Sequence, residues 1–277
     1  MPGRIGTMAT QIAAVMSAVL FAALPTSAAT AADRLRDKDV AALIERIDHE
    51  RDRFEDQLDG KLKRSILRRP DGEVDVERYL DDLQENVDKL KDRFTTQYAA
   101  SAEVTTVLRQ GADIQRFMST QPPGLDGASE WNRLATSLGQ LAAAYSTAFP
   151  VPDGTSARRM NDGEARKAAN DVAKSADRFK KELDSALKSN KAISEATRDA
   201  AVSEADALKH EAQKLASTIG DDKPASGEAQ AVLARAAAIR SAWPGQKLSP
   251  AAKMAWGVVE SGIDLVAQAF ALPARRP

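Results

Sequence analysis

Two stretches of this sequence carry nearly the same pattern: residues 52–63 read DRFEDQLDGKLK, and residues 177–188 read DRFKKELDSALK. Seven of the 12 positions are identical, far more than unrelated segments share by chance. In both stretches the apolar residues recur three or four positions apart, which is the spacing of one face of an α-helix. The two stretches lie 125 residues apart, and this distance organises the rest of the chain.

The same offset of 125 residues aligns further apolar positions without a gap. It pairs Leu83 with Leu208, Leu90 with Leu215, Val107 with Val232, Ile114 with Ile239 and Trp131 with Trp256. Solenoid repeats have periods of about 20–50 residues, whereas 125 residues is the size of one small domain. The sequence therefore predicts a tandem duplication of a whole domain. We place copy 1 at residues 33–149, a Pro- and Gly-containing linker at 150–161, and copy 2 at 162–273.

Each copy is predicted to form four helices. The first runs from a cap at Asp37, matched by Asp162, to about Leu67, where Pro70 and Gly72 signal a turn. The others are marked by apolar stripes at residues 80–94, 104–114 and 131–145. A break is expected at 95–102, because the matching residues 220–224 end in a proline. No segment alternates in the manner of a strand. The predicted fold class is all-α, two antiparallel four-helix bundles in tandem.

The first 31 residues have the order of a secretory signal peptide. An apolar run of 13 residues spans positions 12–24, Pro25 interrupts it, and Ala29-Thr30-Ala31 matches a cleavage site. Thirteen residues are too few to cross a bilayer core of about 30 Å. We expect a secreted or periplasmic protein with no transmembrane helix in its mature chain. The alternative is that the segment is retained as an anchor.

Composition excludes several kinds of site. The 277 residues include no cysteine and two histidines, so disulfides, zinc–thiolate sites and cysteine nucleophiles cannot form. The 39 basic and 40 acidic residues nearly cancel, which gives no general attraction to nucleic acid. The partner we expect is a protein or an envelope polymer.

The candidate catalytic or metal-binding residues are few, and each has an ordinary structural interpretation. Glu45 and His49 share a helix face, but position 174, which matches His49, is a lysine. His210 likewise matches a glutamate.

Glu260 and Asp264 could act as an acid–base pair or simply belong to a solvated face. The basic run at residues 61–69 ends a helix, where cations are favourable, or it contacts an anionic partner.

Trp131 and Trp256 are the remaining candidates, either as core anchors or as walls of a ligand groove. We assign no catalytic, cofactor or metal residue. The sequence favours an exported non-enzymatic binding or scaffolding module. The alternatives are a carboxylate-based hydrolase and a carrier of a small ligand or metal in the extracytoplasmic space.

Overall fold

The computed structural model describes residues 34–69, 72–122, 124–191, 193–242 and 248–273. These residues form nine helices and one two-stranded sheet, so the prediction of a mostly helical protein is confirmed. Among the described helices, none combines the length and the apolar character that crossing a bilayer requires. The predicted signal peptide at residues 1–31 lies outside the described residues.

The first half contains five helices and a hairpin: α1 (Asp37–Gln57), α2 (Gly60–Lys63), β1 (Ile66–Arg69), β2 (Gly72–Asp75), α3 (Val76–Arg93), α4 (Ser101–Ser119) and α5 (Ala128–Ala144). The four long helices form a closed ring of contacts, because α1 and α4 each pack against both α3 and α5. Their buried stripes meet in one apolar core, in which Leu80, Leu90 and Leu134 are fully enclosed.

The second half contains four helices: α6 (Asp162–Ser189), α7 (Glu195–Gly220), α8 (Ser226–Ala242) and α9 (Pro250–Ala269). They form the same ring, with α6 and α8 each packed against both α7 and α9. Their core is separate and richer in alanine. Ala205 and Ala212 lie where the first half has Leu80 and Val87.

The predicted first helix is too long. It ends at Gln57, and the residues up to Asp75 form α2 and the hairpin, so the prediction that strands are absent is also wrong. Leu58 is extended, and the Asp59 side chain accepts the backbone N–H of Lys61 to begin α2. Ile66 and Val74 are β-branched residues that suit the pleated hairpin.

Helix ends recur at the 125-residue offset. The chain leaves α5 at Ser146 and α9 at Ala271, which have left-handed φ values of 53° and 49°. The following amide N–H groups, of Thr147 and Leu272, donate to carbonyls five residues back at 3.0 and 2.9 Å. The expected break at 95–102 also agrees with the structure, since α3 ends at Arg93 and α4 begins at Ser101.

The two matched tryptophans are core anchors. Trp131 is buried and lies against Phe54, with ring centroids 5.3 Å apart and planes at 55°. Trp256 makes the same contact with Phe179 at 5.0 Å and 52°. The Trp131 indole N–H donates to Oε1 of Gln115. Both rings therefore serve packing between the first and fourth long helices of each half.

The predicted linker lies against the first half. Ala157 is 2% exposed and belongs to that half's core, and its N–H donates to Oγ1 of Thr105 at 3.0 Å. The next amide, of Arg158, donates to the carbonyl of Tyr145 at 2.9 Å. Residues 150–158 thus extend the first half, whereas Met160 packs against the core of the second half.

Candidate functional site

The two halves meet where α1 and α6 begin. The Asp37 N–H donates to Oδ2 of Asp162, and the Asp162 N–H donates to Oδ2 of Asp37, both at 2.8 Å. The two aspartates are 125 residues apart, so this exchange is symmetric between the halves. The sequence predicted each aspartate as the cap of its own helix. Instead each occupies the first helical turn and accepts the free N–H of the other helix.

Two arginines complete this junction, which we define as Arg34, Asp37, Arg159 and Asp162. Arg159 pairs with Asp37 at 2.8 Å, and Arg34 pairs with Asp162. Each arginine also donates to a carbonyl of the other half at 2.6 Å: Arg159 to Leu35 and Arg34 to Met160. The two backbone exchanges, the two ion pairs and these two carbonyl contacts are each related by the 125-residue offset.

Burial strengthens the ion pairs of the junction. The Arg159 and Asp37 side chains are only 2% and 6% exposed, so they attract each other with little screening by solvent. Desolvation lowers the pKa of Arg34 from its ordinary value, and its neighbour Arg159 acts in the same direction. The junction thus holds the N-terminal ends of α1 and α6 together.

Two clefts flank the junction, of about 410 and 380 Å³. Arg34 and Phe270 line the first, and Arg159 and Met160 line the second. Both guanidinium groups donate to the opposite half, while the Nε of each arginine is buried without a hydrogen-bond partner. The first cleft is lined mainly by apolar residues, whereas serines and two arginines line much of the second.

The predicted metal and acid–base candidates are not assembled into sites. Glu45 pairs with Lys91 at 2.8 Å, and His49 is exposed beside it. His210 is exposed and contacts Asp206 of its own helix. Within the part of the chain that the structure describes, no three potential metal ligands cluster.

The Glu260–Asp264 pair is divided between two environments. Glu260 forms an ion pair with Arg240 of α8 at 2.9 Å, while Asp264 is exposed on the outside of α9. The positive charge of the basic run is partly matched across the hairpin, where Arg68 pairs with Glu73 at 3.0 Å.

An exposed apolar surface on α9 is the feature that sequence reasoning missed. We define the α9 outer face as Met254, Gly257, Val258, Ser261 and Leu265, all exposed. Met254 is 71% exposed, Val258 59% and Leu265 45%, which makes them three of the five most exposed large apolar residues described. They recur four and seven positions apart, opposite the core stripe that begins at Trp256. This spacing was readable in the sequence.

The first half provides an internal reference for this surface. The α5 outer face, 125 residues earlier, consists of Ser129, Asn132, Arg133, Thr136 and Gln140, which are exposed and polar. With Arg46 and Glu50 of α1, it borders a polar groove of about 350 Å³. The bundle therefore does not require apolar residues at these positions, and the apolar face is particular to the second half.

Comparison with protein-family models, with curated proteins and with solved structures finds no match for this chain.

Proposed function

We propose that this chain is an exported, non-enzymatic helical protein that acts as a binding or scaffolding module in the cell envelope or the medium. The observation that carries the proposal is the α9 outer face. Large apolar side chains grouped on a surface mark interaction sites in soluble proteins. Because the matching α5 outer face is polar, the fold itself does not explain the group on α9.

The export part of the proposal rests on residues 1–31. Their apolar run and the Ala29-Thr30-Ala31 sequence are typical of a cleaved signal peptide. The lack of cysteine suits an oxidising compartment, since no thiol can form a wrong disulfide. The expected location is secreted or periplasmic, and the expected partner is a protein or an envelope polymer.

We also infer that the two halves are a tandem duplication of an antiparallel four-helix bundle. The shared 125-residue offset of helix ends, tryptophan–phenylalanine contacts and junction hydrogen bonds supports this origin. The buried junction would hold the two bundles as one scaffold. In this arrangement the second bundle presents an apolar face and the first a polar one.

One mass-spectrometric experiment tests export and binding together. The chain is recovered from the envelope and medium fractions after brief exposure to a methionine oxidant, and compared with the purified chain at low concentration. We expect a mature N-terminus at or near Ala32. We also expect Met254 to oxidise more slowly in the native fraction than in the purified chain, because a partner covers it.

Met118 and Met160 are internal controls, since both are partly buried in the two cores and their oxidation should not change between samples. An intact Met1 in the recovered protein contradicts cleavage of the export signal. Equal oxidation of Met254 in the native and purified samples contradicts a binding role for the α9 outer face.

A further inference from the structure

We infer that the α9 outer face is the contact surface for a second copy of this chain, with the two α9 helices packed antiparallel. The inference rests on the proposed binding role of this face and names its partner. It follows from the shape and charge of α9, which are complementary to α9 itself when one copy is reversed.

Large and small residues follow each other along the α9 outer face in an order that suits pairing with a reversed copy. Positions 254, 258, 261 and 265 are spaced by four, three and four, which is the spacing of a helix-pairing seam. In an antiparallel pair Met254 lies beside Leu265 of the other copy, and Val258 lies beside Ser261. Gly257 and Ser261 leave room for Val258 of the other copy, because a Cβ at Gly257 would meet no atom within 4 Å.

Lys253 and Asp264 place opposite charges beside the seam. They lie on the same flank of the seam, near opposite ends of α9, and both are exposed. An antiparallel pair brings Lys253 of each copy beside Asp264 of the other, forming two opposite-charge contacts. In a parallel twofold pair this flank of each helix lies on opposite sides of the seam, so Lys253 and Asp264 would not meet across it. Among the described residues neither side chain forms an ion pair, whereas Glu260 is already paired with Arg240.

The first half offers no equivalent surface. Arg133 and Gln140 of the α5 outer face stand where α9 has Val258 and Leu265. Association through α9 alone uses the same patch on both copies, so it closes as a twofold dimer and does not continue into a chain.

The size of the seam sets the expected strength of the dimer. A helix of 20 residues is about 30 Å long, and three large apolar side chains per copy cover only part of it. Such a contact falls below the area of a standard stable interface, so association should be weak and concentration-dependent. We expect monomers at about 1 μM and dimers at several hundred μM.

Sedimentation equilibrium on the purified chain, in the processed form that the cell accumulates, tests the inference. The first variant combines Met254→Ser, Val258→Arg and Leu265→Gln. Each new residue is the one that the first half carries at the matching exposed position, so the variant should fold, as circular dichroism can verify. We expect it to remain monomeric at every concentration.

A charge exchange tests the antiparallel geometry. Lys253→Glu places two carboxylates beside each other at both ends of the seam and should raise the dimer dissociation constant by about tenfold. Adding Asp264→Lys restores opposite charges and should return the constant to near its original value. A merely unfolding or nonspecific effect of Lys253→Glu would not be reversed by the second change.

Three results would overturn the inference: a wild-type chain that stays monomeric at several hundred μM, a dimer that the triple variant retains, and a charge exchange that does not restore association. If the wild-type chain is monomeric but Met254 is still protected in the native fraction, the binding role stands and its partner is another molecule. If Met254 is unprotected, the binding role itself fails.

Discussion

Tyr145 joins the end of α5 to the loop before α4, through a buried hydroxyl that donates to the Ala99 carbonyl. The change Tyr145→Phe should cost about 1–3 kcal/mol of stability, because it leaves a buried acceptor without its donor. Phe270 occupies the matching position in the second half, so a phenyl ring fits this site in the fold. Chemical denaturation measures the cost.

A matched control is Tyr98→Phe. Tyr98 is 42% exposed and its hydroxyl reaches Glu103 at 3.2 Å, so losing it should change stability by less than about 0.5 kcal/mol. Equal effects of the two changes would contradict the importance of the buried bond.

Burial also makes Tyr145 sensitive to alkaline pH. Its pKa is raised well above the ordinary value of 10.0, chiefly by desolvation. A raised pKa stabilises the folded state fully below pH 10, and this contribution is lost as the pH rises from there toward the folded value. Tyr145→Phe should therefore lose less stability between pH 9 and about pH 11 than the wild type. Part of the loss of stability should remain in this variant, because burial also raises the pKa of Tyr79.

At the scale of elements, the hairpin distinguishes the first half from the second. In the second half α6 continues to Ser189 and α7 begins at Glu195, so a short loop takes the place of β1 and β2. Gly72 begins β2 with φ 144°, a conformation that side chains adopt only with strain. Gly72→Ala should open the hairpin at a cost of roughly 1–3 kcal/mol.

Hydrogen exchange checks this at the Val76 N–H, which donates to the Ser65 carbonyl at 3.0 Å, and at the paired strand amides. Their protection should fall in Gly72→Ala. Gly154→Ala is the control, because Gly154 also has a positive φ, of 73°, but lies in the segment after α5. It should leave hairpin protection unchanged, and a loss there would mean that the strain is not local.

The hairpin was hard to predict because the sequence supports two interpretations at once. Leu58 and Leu62 continue the helical spacing of α1, and the matching residues of the second half are helical. The sequence predicts a turn at Pro70 and Gly72, but a turn signal alone does not show whether a helix or a strand precedes it. Local spacing cannot decide this, because Leu58 keeps the apolar spacing of α1 although its backbone is extended and ends the helix.

Other parts of the fold were predictable for a clear reason. Helix starts and breaks follow local signals such as Ser249, whose side chain accepts the Ala252 N–H at the start of α9. The offset of 125 residues let one half locate the break in the other. The junction was not predictable, because it depends on how α1 and α6 approach each other. Asp37 and Asp162 can be recognised from the sequence as residues at helix starts, but local signals do not show that they bond to each other.

At the scale of the whole molecule, the question is whether the halves are separate folding units. Each has its own core and its own closed ring of helices. The junction joins them through a small number of buried polar contacts. We expect residues 33–158 and 159–277 to fold as separate helical fragments when expressed alone.

The position of the cut matters, because the residues after Pro150 belong to the first half. A fragment of residues 33–150 lacks Ala157 and the two hydrogen bonds that the amides of Ala157 and Arg158 make to the first half. It should melt below the fragment of residues 33–158. Equal melting temperatures would show that this segment is not part of the first unit.

The first-half fragment should also be the more stable of the two. Replacement of a large core side chain by alanine costs about 2–5 kcal/mol unless the surroundings close the gap, and Ala205 stands where the first half has Leu80. The second half closes part of the gap by bringing α9 near α6: a Cβ at Gly262 would lie 2.8 Å from Cγ2 of Val172. Melting each fragment by circular dichroism, beside the whole chain, measures the difference. If neither fragment unfolds cooperatively while the whole chain does, the junction is required for folding and the two halves form one unit.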